Sequence, residues 1–311
     1  MANERVAIIG VPTSAGAHHA GQDAAPAALR AAGFVRRLET AGLDVQDRGD
    51  LPATPFGPDE PGSTARNLAA VVAVARRVAD AVEAALADGR LPVLLGGDCT
   101  LTLGVVAGVQ RRHPGVGLLY VDGDADLATP GTTESGVLDS MGVAHLLGVT
   151  DNALSRVGDR WPLLRPDRLA MLGYDETDAG TYRPEVLAAH PGLWHANGPQ
   201  LRADPAGTAR AGLRALSRGA PDVDSGVIVH FDVDLVDSRD LPLGNFPHYG
   251  LGLSLAAATE VLAEAFAAPG LRAVALTEVN PSYDPSGDAL RRYVDAVAGT
   301  FAASRAPAPV R

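Results

Sequence analysis

The 311-residue chain contains no lysine: all 26 of its basic side chains are arginines. That excludes Schiff-base chemistry, a lysine general base and the ammonium clamp of a phosphate-binding loop. Cysteine is almost as scarce, with Cys99 alone. A single cysteine cannot form an internal disulfide, so a reducing cytoplasm is the expected setting. No apolar run approaches the ~20 residues a membrane-spanning helix needs. Positive charge is also short, since 37 acids leave a formal net charge of −11. Such a balance argues against nucleic acid or an anionic membrane as a partner.

What is present suits a globular chain, 46 % hydrophobic and 20 % charged, with enough apolar residues for a large core. The polar start Met1–Arg5 leads straight into the apolar run Val6–Val11, which reads as a first strand and not as a signal peptide. Further apolar runs predict strands at Leu43–Gln46, Pro92–Leu95, Gly117–Val121, Leu169–Leu172, Gly226–Phe231 and Arg272–Thr277. Between them, helical periodicity predicts helices over Ala24–Ala41, Thr64–Leu86, Leu101–Arg112, Pro205–Ser217, Leu255–Ala267 and Asp288–Ala302. Strands without polar alternation imply a sheet covered on both faces, and the β/α order implies a parallel one, either doubly wound or closed as a barrel. The Pro- and Gly-rich stretch Leu51–Ser63 reads as a surface connection. We expect one domain over residues 1–304 and a loose tail over 305–311.

Acids cluster where strands end. Asp122, Asp124 and Asp126 follow the strand ending at Val121, Asp232 and Asp234 end the strand beginning near Gly226, and Gly96-Gly97-Asp98-Cys99 follows Pro92–Leu95. Loops at the carboxyl ends of parallel strands converge on the ligand crevice. Carboxylates gathered there repel one another unless cations neutralise them. One Asp-Gly-Asp cluster is ordinary turn chemistry; two, each closing an apolar strand, favour a metal. Alternation along an extended chain puts Asp232 and Asp234 on one side. Cys99 stands at a probable helix start, where the dipole favours thiolate. His230 precedes Asp232 by two residues and so shares its face, which makes it a candidate replacement ligand. His18 and His19 lie in a Gly-rich loop near the crevice. His113, His145, His190, His195 and His248 read as surface or packing residues.

These residues, with Ile8-Ile9-Gly10, Thr129-Pro130, Thr132-Thr133-Glu134-Ser135-Gly136, Phe231-Asp232-Val233-Asp234 and Glu278-Val279-Asn280-Pro281, resemble the arginase and agmatinase family of binuclear manganese ureohydrolases, arginase more than agmatinase. The resemblance spans nearly the whole chain. It implies a three-layer α/β/α fold with a parallel, mostly eight-stranded sheet. It also implies hydrolysis of a guanidino or amidino C–N bond by a metal-activated hydroxide, releasing urea or an analogue from arginine or a derivative. Asp122 and Asp232 are then expected to bridge two divalent ions, with Asp126 on one and Asp234 on the other. Asp126 would also hydrogen-bond the attacking hydroxide, Glu278 would hold the guanidinium, and Ser135 and Asp178 would read the amino-acid end. Trimeric or hexameric assembly is the family habit.

The departures are as informative. Cys99 and Asp124 occupy the family's two histidine-ligand positions, Asp139 stands where a proton-relaying histidine is expected, and Ala128 replaces a substrate-binding asparagine. An ionised Cys99 with Asp122, Asp124, Asp126, Asp232 and Asp234 makes six anionic donors against four positive charges, which lowers the Lewis acidity lent to water. A thiolate makes Zn2+ or Fe2+ more competitive with Mn2+, and a single-metal site is an alternative. Asp139 is ionised at neutral pH unless burial raises its pKa; otherwise it reads as an N-cap for the segment at Ser140. Two rival readings stand: a degenerate binder with little turnover, and a hydrolase of an N-hydroxylated arginine. Phosphoryl transfer through an aspartate is disfavoured because it normally wants a cationic phosphate clamp, most often lysine.

Overall fold

A computed structural model describes residues 4–220 and 225–305. Eight strands form one sheet: β1 Arg5–Gly10, β2 Asp44–Asp50, β3 Leu91–Leu95, β4 Gly117–Val121, β5 Leu169–Leu172, β6 Trp194–Ala196, β7 Val227–Asp232 and β8 Leu271–Thr277. Their order is β2-β1-β3-β8-β7-β4-β5-β6, and every pairing is parallel. The sheet is open, so the barrel alternative falls.

Alternate residues of the same strand feed two different cores. Val6, Ile8, Leu119, Val121, Val229 and Phe231 pack on one side with helices Leu255–Phe266 and Asp288–Arg305. Ala7, Ile9, Leu118, Tyr120 and Ile228 pack on the other with helices Leu68–Ala87 and Leu101–Gln110. Because both faces are buried, the central strands show no polar alternation. Helix Leu101–Gln110 is buried all round, which explains its mostly apolar sequence; its polar Thr102 and Gln110 are both hydrogen-bonded.

Several boundaries differ from expectation. The segment Ala24–Ala41 is two helices, Ala25–Ala31 and Phe34–Thr40, because Gly33 adopts a left-handed φ of 94° between them. Helix Leu68–Ala87 starts after the left-handed Asn67, whose N–H bonds Asp59 Oδ2 at 2.7 Å. Strand β2 runs on to Asp50 as a charged, exposed edge, with Arg30 gripping Asp47. Strand β6 was not expected: three residues with a polar His195 leave no apolar run to detect. The final helix reaches Arg305; the rest of the expected tail, 306–311, and the first three residues lie outside the described residues.

The neighbouring strands β3, β8, β7 and β4 occupy the middle of the sheet. Their carboxyl ends carry Cys99, Glu278, Asp232–Asp234 and Asp122–Asp126. Residues far apart in sequence thus meet because four strand ends are adjacent.

Candidate metal centre

The chain leaves β3 through two glycines that admit no side chain. A Cβ on Gly96 would lie 2.1 Å from the Leu276 carbonyl, and one on Gly97 would lie 2.3 Å from that of Thr13. Asp98 then ties the loop down, accepting from Gly16 N–H at 3.0 Å and Thr100 N–H at 3.2 Å. The tie presents Cys99, whose N–H is shared by Asp139 Oδ1 at 2.8 Å and Glu278 Oε1 at 2.9 Å.

Around the Cys99 sulfur lie Asp232 Oδ2 at 2.7 Å, His230 Nε2 at 3.6 Å and Asp122 Oδ2 at 3.9 Å. His230 Nε2 is 3.3 Å from Asp122 Oδ2. All four residues are buried, and their potential ligand atoms lie within 4.8 Å of one another. His230 is fixed from behind: Nδ1 meets Thr102 Oγ1 at 2.7 Å, and the ring stacks on Tyr120 with centroids 4.0 Å apart. A second group joins Asp124, Asp234 and His248 under the same 4.8 Å limit, and a third joins Cys99, Asp139 and Glu278. His248 Nε2 is 3.5 Å from Asp124 Oδ1 and 4.0 Å from Asp234 Oδ2.

The sequence expectations meet this geometry unevenly. Cys99, Asp122, Asp124, Asp232 and Asp234 converge as expected, and His230 does share the face of Asp232. Asp232 and Asp234 converge by another route, however. The chain turns into a 3-10 segment, Val233–Leu235, and Asp234 N–H bonds back to Asp232 Oδ1 at 2.8 Å, so strand alternation is not what aligns them. Asp126 joins none of these donor groups: its Oδ2 takes the Tyr120 hydroxyl, and its backbone is left-handed at φ 52°. Glu278 is left-handed as well, at φ 63°. Such strain concentrates where a side chain must be aimed. Ser135 sits exposed at the cavity rim. Asp178 lines the same cavity but also folds its own loop, accepting from Gly180 and Thr181 N–H, both at 2.9 Å.

Three expectations change. His248 is a wall of the centre and not a surface or packing residue. Asp139 caps no helix: Leu138 is the N-cap residue there, and the Asp139 carboxylate bonds Cys99 instead. The helix start does not govern the Cys99 thiol; burial, then Asp232 and Asp139, push its pKa well up. His18 does reach the cavity, edge-on to Phe246, and burial followed by His19 lowers its pKa to about 4. Sequence reasoning also missed Gln22, which donates from Nε2 to Glu278 Oε2 at 2.8 Å. A polar residue early in the chain carries no sign that it will meet Glu278.

Electrostatics test whether cations fit. Burial raises the pKa of Asp122 to about 6 and of Asp234 to about 7, and burial followed by Asp98 raises that of Glu278 to about 8. Asp124, Asp126, Asp139 and Asp232 are pushed well above the carboxylate range, by burial first and neighbouring acids second. Burial drops His230 to about 3, so its imidazole is neutral and able to coordinate. The cavity above these groups measures about 580 Å³, and among the described residues Arg183 is the one arginine lining it. Its guanidinium is turned to the carbonyls of Ala179 and Tyr182, both at 2.7 Å. Buried acids that face no arginine free to pair with them among the described residues, in three groups with ligand-compatible separations, suit divalent ions.

A parallel α/β sheet with buried acids and an imidazole at its central strand ends, and a second imidazole facing them from a loop, defines a class of protein equipped to hold divalent metal ions. The arginase family model matches residues 4–302. The chain is 30 % identical to an arginase of Brevibacillus brevis over 302 residues, covering 96 % of this chain and 98 % of that one. It is 29 % identical to human arginase-1, covering 96 % and 92 %. The crystal structure of Bacillus cereus arginase superposes with a TM-score of 0.84 at 25 % identity, over 99 % of this chain and all of that one. The chain belongs to the arginase family, whose members are hydrolases acting on amidino bonds and generally use a binuclear metal centre, usually of manganese.

Proposed function

We propose that the protein hydrolyses a guanidino C–N bond of arginine or an arginine derivative, releasing urea or an analogue. The observation that carries this is Glu278. It is 4 % exposed, and it lines the cavity beside the acid centre with its two oxygens set by Gln22 Nε2 and Cys99 N–H. An acid so fixed at the base of a cavity suits a planar cation that offers paired N–H donors.

By family resemblance, Cys99, Asp122, Asp124, Asp126, Asp232 and Asp234 would supply donors for divalent ions, with Asp126 standing outside the close donor groups. We take Mn2+ as the default and Zn2+ or Fe2+ as competitors because of the sulfur. Ions held there supply Lewis-acid chemistry, neutralising the carboxylates and making water a usable nucleophile near neutral pH. The chain's own residues do the rest. Glu278 fixes the guanidinium plane over the centre. Asp126, held by the Tyr120 hydroxyl, accepts a proton from the incoming water. Asp139 sits beside Glu278 on the same N–H and passes a proton to the departing amine nitrogen. Ser135 and Asp178, at the rim, read the amino-acid end.

A specific observation favours a second substrate, an N-hydroxylated arginine. Two carboxyl groups, Asp139 and Glu278, meet at one N–H, so the pocket offers an acceptor for a hydroxyl as well as for the guanidinium. A cytoplasmic setting and a homo-oligomer, trimeric or hexameric, complete the reading; among the described residues no helix is long and apolar enough to cross a membrane. The test is direct. Protein loaded in turn with manganese, zinc and iron is assayed for urea from arginine and hydroxyurea from the N-hydroxylated analogue. Release of either supports the reading, and none with any metal leaves a ligand-binding protein without turnover.

A further inference from the structure

We infer that this chain has relocated both of its imidazole metal ligands: His230 on β7 completes a thiolate centre with Cys99, Asp122 and Asp232, and His248 completes an oxygen-rich centre with Asp124 and Asp234. The inference rests on the metallohydrolase reading and goes beyond it, because neither histidine occupies a ligand position of the family pattern.

Four observations support it. The first is spacing. Donors about 2.0–2.3 Å from one ion stand roughly 3 to 4.5 Å apart, depending on the angle between them. The contacts His230 to Asp122 at 3.3 Å, Cys99 to His230 at 3.6 Å, Cys99 to Asp122 at 3.9 Å and His248 to Asp124 at 3.5 Å fall in that range, while Cys99 to Asp232, at 2.7 Å, is a hydrogen-bond distance that a shared ion would widen. The second is orientation. His230 Nδ1 is taken by Thr102 Oγ1 at 2.7 Å, which leaves Nε2 aimed at the acids, as an outer-shell partner does for a ligating histidine. The third is an unmet need. His248 Nε2 is buried and makes no hydrogen bond, although two carboxylates face it. The fourth is a built approach. A Cβ on Gly123 would lie 3.0 Å from His248 Cδ2 and 2.9 Å from the Asp234 carbonyl, so a glycine lets the imidazole rest on the acid loop. The loop bearing His248 is anchored in turn by Asp237, which accepts from Gly250 N–H at 2.7 Å and from Arg239 Nε at 3.0 Å.

The donor sets differ in kind. Sulfur, nitrogen and two oxygens make a softer, four-donor set that favours zinc or cobalt, whereas two carboxylates and one imidazole make a harder set suited to manganese. One swap of ligands therefore yields two unequal sites.

The test reads metal content and a spectrum, not activity alone. Cobalt(II) titrated into the full chain is expected to bind at two equivalents and to give a thiolate-to-cobalt charge-transfer band. Cys99→Ser should abolish the band. His230→Gln should shift the band and weaken that site by more than the about 10–100-fold typical of losing an outer-shell partner. His248→Ala should keep the band and lose one equivalent, and His248→Gly should regain it with added imidazole. Because His230 is buried, His230→Asn serves as a second variant, with a melting curve confirming that each folds. Unchanged stoichiometry and affinity in the His248 variants, or an unchanged band in both folded His230 variants, would overturn the inference while leaving amidine hydrolysis intact. A wild-type protein that takes up no cobalt, manganese or zinc would overturn the metallohydrolase reading together with it.

Discussion

The two halves of the centre are built from different material. On the sulfur side, Asp122, His230 and Asp232 stand at the ends of β4 and β7, side by side in register, with Tyr120 opposite His230. Tyr120 stacking and the Thr102 hydroxyl fix the imidazole, and every group is buried. On the oxygen side, Asp124 and Asp234 belong to a loop and a 3-10 turn, and His248 hangs from a connection with exposed Tyr249 and Leu251 beside it. The first half is held by the sheet and the second by loops. A ligand change on a strand can be answered by a neighbour on the same face, two residues or one strand away. A ligand change on a loop can be answered from any loop that the fold brings near. We therefore expect the sulfur side to be the rigid, slowly exchanging site and the oxygen side the labile one.

The comparison can be broken most forcefully at Asp232, whose Oδ2 touches the sulfur of Cys99 and whose Oδ1 accepts from the Asp234 N–H on the oxygen side. Asp232→Asn is expected to abolish turnover to background and to remove metal from both sites; loss confined to one site, read by metal analysis, would show that the halves are independent. Next comes Glu278, which contacts substrate and not metal in this account. Glu278→Gln removes one partner of a buried charge pair, a loss of about 2–5 kcal/mol, so kcat/KM should fall by at least about thirtyfold with metal content unchanged. Loss of metal in that variant would move Glu278 into the centre. Smaller is the effect of Thr102→Val, which frees the His230 ring: zinc affinity at the sulfur side should drop about 10–100-fold while manganese binding at the oxygen side holds, measured by competition with a chelating dye.

The smallest effect is on stability against pH. Burial raises the pKa of Asp122 to about 6, of Asp234 to about 7 and of Glu278 to about 8, and pushes those of Asp124, Asp126, Asp139 and Asp232 well above the carboxylate range. A folded state that holds protons more tightly than the unfolded one loses stability as pH rises. His230, lowered to about 3, and His18, lowered to about 4, act in the opposite sense, as do His145 and His195, whose pKa values burial also lowers, but only below about 6.5. Chelated protein should therefore melt several degrees lower at pH 8 than at pH 5.5, and manganese should recover most at the alkaline end. A chelated protein more stable at pH 8 would show that these acids are not buried together in solution.

Legibility in the sequence followed the same division. The strands carrying the sulfur side were visible because both faces are buried, giving unbroken runs such as Leu118–Val121 and Val227–Val229. His230 was visible as a candidate because its spacing from Asp232 is a property of any strand. His248 was not, since its approach depends on where a long connection folds and on the bare backbone at Gly123. Asp139 shows the same limit. Its sequence neighbourhood left a proton-relay role and a helix cap both open, whereas its partners, Cys99 and Glu278, come from the loops that follow β3 and β8. The break at Gly33 and the three-residue strand β6 were lost for a local reason, namely that one glycine or a Trp-His-Ala triplet gives too little pattern.

One measurement reaches the central claim directly: anomalous diffraction from crystals grown with zinc and manganese, collected at the absorption edge of each metal. The account predicts two ions, one bonded to Cys99 Sγ and His230 Nε2, the other to Asp124, Asp234 and His248 Nε2. A single ion, or a pair bridged by Asp122 and Asp232 with both histidines out of reach, would contradict it.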